Sequence, residues 1–192
     1  MAFDALIEAS EEALLVLYAN GDSAAARALT LRLTPMALRV ATRMLGDGSE
    51  AEDVAQEAML RLWRVAPEWR QGEAKVSTWL YRVVSNLATD RLRKRRGVSL
   101  EEAAEPEDGK PAVVDLMIDA DRAEALQVAL ASLPDRQRQA VVLRHLEGLT
   151  NPEIAQVMEI GVEAVESLTA RGKRALTTML AGRREELGYD HG

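Results

Sequence analysis

Residues 150–176 read TNPEIAQVMEIGVEAVESLTARGKRAL. Thr150 can cap a helix that has Pro152 and Glu153 in its first turn, where a fixed φ and a negative charge both suit a helix start. Ile154, Ala155 and Met158 then face one way, and Ile160 with Gly161 marks a short turn. Val162, Val165 and Leu168 form the inner stripe of the next helix. Two short helices joined this tightly must cross steeply, so a small residue, Ala155, belongs where they approach, and the flanking apolar residues fix the angle. This is the layout of a helix-turn-helix, whose second helix can enter a major groove. The same side chains would also serve an ordinary helical hairpin. The position after Met158 normally takes a positive φ and a glycine, and here it is Glu159.

Working outward, the rest of the chain also has helical spacing and no strand alternation. Apolar positions predict helices over residues 3–19 and 23–45, with Pro35 placed to kink or split the second. Ser49-Glu50-Ala51-Glu52 has the form of a capping box for a helix reaching Ala66. Pro67 to Lys75 is a polar loop. A helix from about Ser77 carries Trp79, Val83, Leu87 and Leu92 as its apolar stripe, and ends in Arg91, Arg93, Lys94, Arg95 and Arg96, with Gly97 as the stop. Further helices are expected over 119–132, from Pro134 to near Gly148, over 151–158 and over 162–181.

The charge is unevenly placed. The chain has net charge −7, yet residues 1–96 carry net +1 and residues 126–192 net −1, so the excess lies in residues 97–125. Local patches decide binding, because charges are screened over about 8 Å at cellular salt. Residues 97–119 have acids, two prolines and no period, which is a linker composition. There is no cysteine and there are two histidines. Thiolate and paired-histidine metal sites are therefore excluded, and His145 reads as a helix-end residue beside solvent. No apolar run approaches the roughly 18 residues of a membrane span, and the N-terminus has acids and no base, so membrane insertion is not expected and the protein should be cytoplasmic. No phosphate loop, H-E-x-x-H spacing or cofactor motif occurs, so neither an enzyme nor a small-molecule substrate is expected. The fold class is all-α, with two small helical domains joined by an acidic flexible linker.

Two further segments carry chemistry. AEDVAQEAMLRLW (51–63) buries Val54, Ala58 and Leu62, leaving Asp53, Gln56 and Glu57 together outside. VSTWLYRVVSNLATDRLRKRR (76–96) sets Arg82, Asn86, Arg93 and Lys94 on a polar face, where bases supply backbone electrostatics and Asn can read a base edge.

Together these three segments resemble the bacterial RNA polymerase sigma factor family, specifically its extracytoplasmic-function group. AEDVAQEAMLRLW resembles the part that binds core polymerase, which implies contacts from Asp53, Gln56, Glu57, Leu60 and Arg61. Residues 76–96 resemble the minus-ten melting and recognition helix through Trp79-Leu80, Asn86, Asp90 and the basic end. The implied minus-ten contacts are Trp69, Lys75, Arg82, Asn86, Arg93 and Lys94, with the loop at 67–77 able to hold a flipped base. Residues 133–176 resemble the minus-thirty-five domain, implying base readers Glu163, Ala164, Glu166 and Ser167 and phosphate contacts Arg171, Lys173 and Arg174. The family often has bases at the positions of Glu166 and Leu168, an aromatic or His at Ala170, and an aromatic at Val76. The implied domains are region 2 over 1–96, a linker over 97–119, region 4 over 120–182 and a tail over 183–192. The implied partners are core RNA polymerase, promoter DNA and an anti-sigma factor.

A one-component regulator that used only the C-terminal helix-turn-helix is the alternative. It leaves the acidic-polar helix, the basic helix and the linker without a purpose, and it would bind promoter DNA without polymerase. A helical scaffold with no DNA role is a further rival. The linker reading gives a first expectation. Limited proteolysis of the free chain should cut first within residues 97–119 and leave two helical fragments, because that composition buries too little apolar surface to offset chain entropy. Mass spectrometry of the first cleavage products checks it, and protection of residues 101–111 would contradict it.

Overall fold

Short polar side chains open the first three helices. The Ser10 hydroxyl accepts from the Ala13 N–H and starts α1 (Glu11–Ala19). Asp22 accepts from Ala24 and Ala25 and starts α2 (Ser23–Leu45). Asp47 accepts from Glu50 and starts α3 (Gly48–Val65). Each satisfies amides that have no partner inside the helix. These caps correct two expectations. The helix predicted over 3–19 is interrupted at residues 9–10, because Ser10 begins a new one. The start of α3 belongs to Asp47, not to a box at Ser49. Pro35 neither ends nor splits α2, since its missing N–H removes a single rung.

The computed structural model describes residues 6–101 and 117–186, which are helical with no strand among them. After α3 a 3-10 turn (Ala66–Glu68) and a polar loop lead into α4 (Val76–Glu101). Then come α5 (Met117–Ala131), α6 (Asp135–Val141), a π-helical turn (Val142–Leu146), α7 (Asn151–Met158) and α8 (Val162–Glu186). The Gly97 stop is overridden and α4 continues to Glu101. One glycine costs about 1 kcal/mol in a helix, too little to break one of 26 residues. Of the expected linker, residues 97–101 and 117–119 are therefore helical, and 102–116 lie outside the described residues.

The buried stripe of α4 is Val76, Leu80, Val84, Ala88 and Leu92, at steps of four. The expected stripe was offset by one position: of Trp79, Val83, Leu87 and Leu92 only Leu92 is buried, and the other three are half-buried flank. α2, α3 and α4 enclose Leu29, Leu33, Met44, Leu62 and Leu80, each essentially inaccessible. Burying each such side chain is worth roughly 1.5–3 kcal/mol. The same core takes in Leu130, Leu133, Val141, Val142 and Leu176 from α5 to α8, so the two halves meet along a packed apolar face. A second core holds the helix-turn-helix together through Leu143, Leu149, Ile154, Val157 and Val165.

Gly172 of α8 lies against α6. A β-carbon there would overlap Cγ2 of the buried Val141 and lie 3.3 Å from the Gln137 carbonyl oxygen. Gly172→Ala should therefore destabilise the fold by about 1–3 kcal/mol, the usual cost of overpacking. Urea denaturation followed by circular dichroism measures it. In a Val141→Ala background the added penalty should shrink, because the clashing methyl is gone.

Candidate nucleic-acid interface

The helix-turn-helix is built from its caps. Thr150 accepts from the Glu153 N–H, while the Glu153 carboxylate accepts from the Thr150 N–H at 2.8 Å and from its hydroxyl at 2.9 Å. This reciprocal box starts α7. At the other end Glu159 lies in the left-handed region with φ 56, the conformation its position required, and its N–H returns to the Ala155 carbonyl. Glu159 is the one described non-glycine residue with positive φ, and Gly161 follows before α8. Ile154, Val157, Met158 and Val165 fill the angle between the helices, and the buried Thr169 hydroxyl donates to the Val165 and Glu166 carbonyls. The inner stripe of α8 is Val165, Thr169, Gly172 and Leu176. Val162, expected on it, is exposed, and Leu168 is half-buried.

The opposite face of α8 is open. Glu163, Ala164, Glu166, Ser167, Arg171, Lys173 and Arg174 are all exposed, acids toward the N-terminus and bases further along. His145 is exposed too. Burial holds its pKa below the ordinary value, and Lys173 and Arg144 lower it further. No cluster of three or more candidate metal ligands occurs among the described residues.

On α4 the basic run divides. Arg95 donates to the Leu45 carbonyl and pairs with Glu50, Arg96 pairs with Asp135, and Arg91 pairs with Asp53 at 3.7 Å. Those three arginines fasten the fold. Asn86, Arg93 and Lys94 face solvent. Arg82 shares their stripe but is half-buried, donating to the Gln156 carbonyl at 2.8 Å. Lys75 is exposed, 3.6 Å from Glu153. Trp69 stands edge-on to Trp79 at 6.1 Å, and beside them Glu68, Arg70, Glu73 and Ala74 line a shallow pocket. The buried Trp69 Nε1 has no protein partner.

On α3, Asp53, Gln56, Leu60 and Arg61 are exposed and Glu57 is half-buried, ion-paired to Arg61 at 3.0 Å. Val54, Ala58 and Leu62 are buried beneath them, as the spacing predicted. Sequence reasoning missed the groove alongside, where Thr30, Thr34 and Leu38 of α2 join Gln56, Met59, Leu60 and Trp63. The signal available was Leu60, an apolar residue on a polar face, which is exposed.

The Glu153 carboxyl is held below the ordinary carboxylate range by the Thr150 N–H and hydroxyl, and Asp135 is likewise lowered, chiefly by its hydrogen bond from Arg96. A carboxyl lowered on folding contributes stability above its unfolded pKa of about 4, and loses it as pH falls through the folded value. The thermal midpoint should therefore drop steadily below about pH 4. Glu153→Gln keeps the box geometry but not the titration, so its midpoint should fall less steeply with pH in parallel melts.

Comparison with known proteins gives matches over both halves. Sigma-70 region 2 matches residues 29–98, and Sigma-70, region 4 matches residues 123–176. The ECF RNA polymerase sigma factor SigW of Bacillus subtilis is 34% identical over 156 residues, covering 72% of this chain and 79% of its own. ECF RNA polymerase sigma factor SigM of Mycobacterium tuberculosis is 34% identical over 173 residues, covering 90% and 86%. The fold is similar to that of the sigma factor RpoE in complex with the anti-sigma factor NepR from Bartonella quintana, with TM-score 0.64 and 21% identity over 79% of this chain and 94% of that one.

Proposed function

This chain belongs to the extracytoplasmic-function group of the sigma-70 family, alternative sigma factors that direct RNA polymerase to promoters, and from that premise we propose how its helices divide the work. The region 2 domain spans 1–96 and the region 4 domain 120–182, with 97–119 connecting them and 183–192 a tail. Asp53, Gln56, Glu57, Leu60 and Arg61 meet core polymerase. Their support is a polar row beside an apolar groove, a combination that suits a partner helix laid along α3. Trp69, Lys75, Arg82, Asn86, Arg93 and Lys94 meet the minus-ten element. The shallow pocket beside Trp69 and Trp79 suits an extruded base, whose stacking on an aromatic ring would repay the few kcal/mol of flipping. An anti-sigma factor is a further partner, as for the similarly folded RpoE. The chain acts beside polymerase in the cytoplasm as an initiation factor rather than an enzyme. No described helix is long and apolar enough to cross a membrane.

The observation that carries the upstream half of this reading is the open face of α8, where acids and bases are separated along the helix. In a helix-turn-helix the N-terminal half of the second helix meets base edges, so Glu163, Ala164, Glu166 and Ser167 read sequence. Glu166 suits the cytosine amino group, the base-edge donor a carboxylate accepts best. Arg171, Lys173 and Arg174 hold phosphates and give affinity without preference.

Transcription by the reconstituted holoenzyme on captured genomic promoters separates the two roles. Lys173→Ala should weaken all promoters about equally and flatten the salt dependence by roughly one unit of slope. Glu166→Lys should instead change which promoters are used, with shifts of about 1–3 kcal/mol per base pair. A uniform gain across promoters with Glu166→Lys would make Glu166 a bystander.

A further inference from the structure

α1, α2 and α3 each carry their own acceptor side chain at the position before the helix, but α4 does not. The residue before Val76 is Lys75, whose side chain donates and cannot accept. Its positive charge also opposes the helix dipole, which favours anions at the N-terminus. The acceptor comes from another helix. Oε2 of Glu11, at the start of α1, accepts from the Ser77 N–H at 3.2 Å, across 66 residues of sequence. Glu11 and Ser77 are both half-buried, which limits competition from water. α1 also holds the stretch before α4 at its two ends. Its Leu14 and Leu15 share a core with Ala66 and Val76, which flank the loop carrying Trp69 and Lys75, and Trp69 packs against that core.

We propose that Glu11 is a positioning residue for the minus-ten loop, capping α4 from a distance so that a DNA-facing lysine can occupy the capping position. The proposal rests on the reading of residues 67–77 as a minus-ten contact. An Asp or Ser at position 75 would satisfy α4 locally but would remove the cation from the loop. A distant cap serves both needs. Glu11 touches neither DNA nor polymerase in this reading. It acts through the first turn of α4, whose geometry sets the direction in which Lys75 and the rest of the loop leave the helix.

Glu11→Ala should speed hydrogen exchange at the Ser77 amide by about tenfold, read by NMR of the full chain. In the holoenzyme, the probe is a fluorescein-labelled single strand, the non-template strand of a captured promoter across its minus-ten element. Its binding should weaken by about fivefold, the usual weight of a helix cap. Removing an acid makes the chain less negative, so weaker binding there runs against simple charge. Glu12→Ala deletes the same charge from the same turn and should change neither reading. Glu11→Gln keeps an acceptor oxygen at the same reach and should retain most of both. At the other end of α1, Tyr18 lies 4.5 Å from Trp63 of the groove assigned to polymerase, so a general loosening of α1 would lower affinity for core. That affinity should stay unchanged in Glu11→Ala. Unchanged exchange at Ser77, or a loss of core affinity equal to the loss of strand affinity, overturns the positioning role. Faster exchange with unchanged strand binding also overturns it, and Trp69→Ala then assigns the fault. Weaker strand binding in Trp69→Ala keeps the loop reading and rejects the role of Glu11 alone, whereas unchanged binding rejects the loop reading and the role of Glu11 with it.

Discussion

A helix leaves its last four carbonyls without partners of its own, and at the C-terminus of α2 the answer to that shortage organises the molecule. Thr42 is answered locally by the N–H of Gly46, whose left-handed φ of 69 then turns the chain out of the helix. The other three are answered from elsewhere in the chain. Arg43 accepts from Gln127 of α5, Met44 from Arg138 of α6, and Leu45 from Arg95 of α4. One helix end is thus capped by side chains from both halves. A guanidinium suits the task because it donates in a fixed fork and bears the charge that a helix C-terminus attracts. Arg138 uses both terminal nitrogens of the fork, bridging Met44 to the Ala131 and Leu133 carbonyls at the end of α5. Burial lowers its pKa, and it is partnered by carbonyls rather than by a carboxylate.

This constraint explains why the apolar cores merge. With Arg95, Gln127 and Arg138 gathered on one helix end, α5 and α6 are brought down against α2 and α4, and Leu130, Leu133 and Val142 join the first core. The helix-turn-helix keeps its own core and is fastened to the N-terminal half by ion pairs, by Tyr81, by the Arg82 bond to the Gln156 carbonyl, and by Leu176 of α8 in the first core. The two kinds of contact differ in strength. Apolar burial and buried carbonyl bonding are costly to undo, whereas exposed ion pairs are worth about 0–1 kcal/mol each and are screened by salt.

The caps and turns of the C-terminal half were legible in the sequence because their physics is local. Thr150 with Glu153, the left-handed Glu159 and the buried Ile154 and Val165 all depend on neighbours within a few residues. The Gly97 stop was misread because a weak local preference yielded to the length of α4. The stripe of α4 lies one position from the expected one because the large Trp79 packs at the flank, whereas the core-facing residues include the smaller Val76, Val84 and Ala88. The contacts between the halves were not legible. Arg39 and Glu147 are 108 residues apart, and each reads alone as an ordinary surface charge. The run Arg91 to Arg96 reads as one basic patch, yet three of its members are committed to Asp53, Glu50 and Asp135. Which bases remain available depends on where distant acids fall, and periodicity carries no information on that.

The arrangement along α8 bears on how a chain of net charge −7 can hold DNA at all. Glu163 lies in the first turn of the helix, where the macrodipole favours a negative charge, so an acid there has a structural reason independent of any ligand. Glu166 lies nearly one turn further along, where that benefit fades, and it has no ion pair among those within the described residues. An unpaired carboxylate on a phosphate-facing helix would weaken binding unless it met a donor. In the proposed reading that donor is a base edge, and Arg171, Lys173 and Arg174 supply the attraction that offsets the repulsion. Affinity and selectivity then reside on different turns of one helix. In that reading the few bases present suffice, because core polymerase shares the work of holding the complex on DNA.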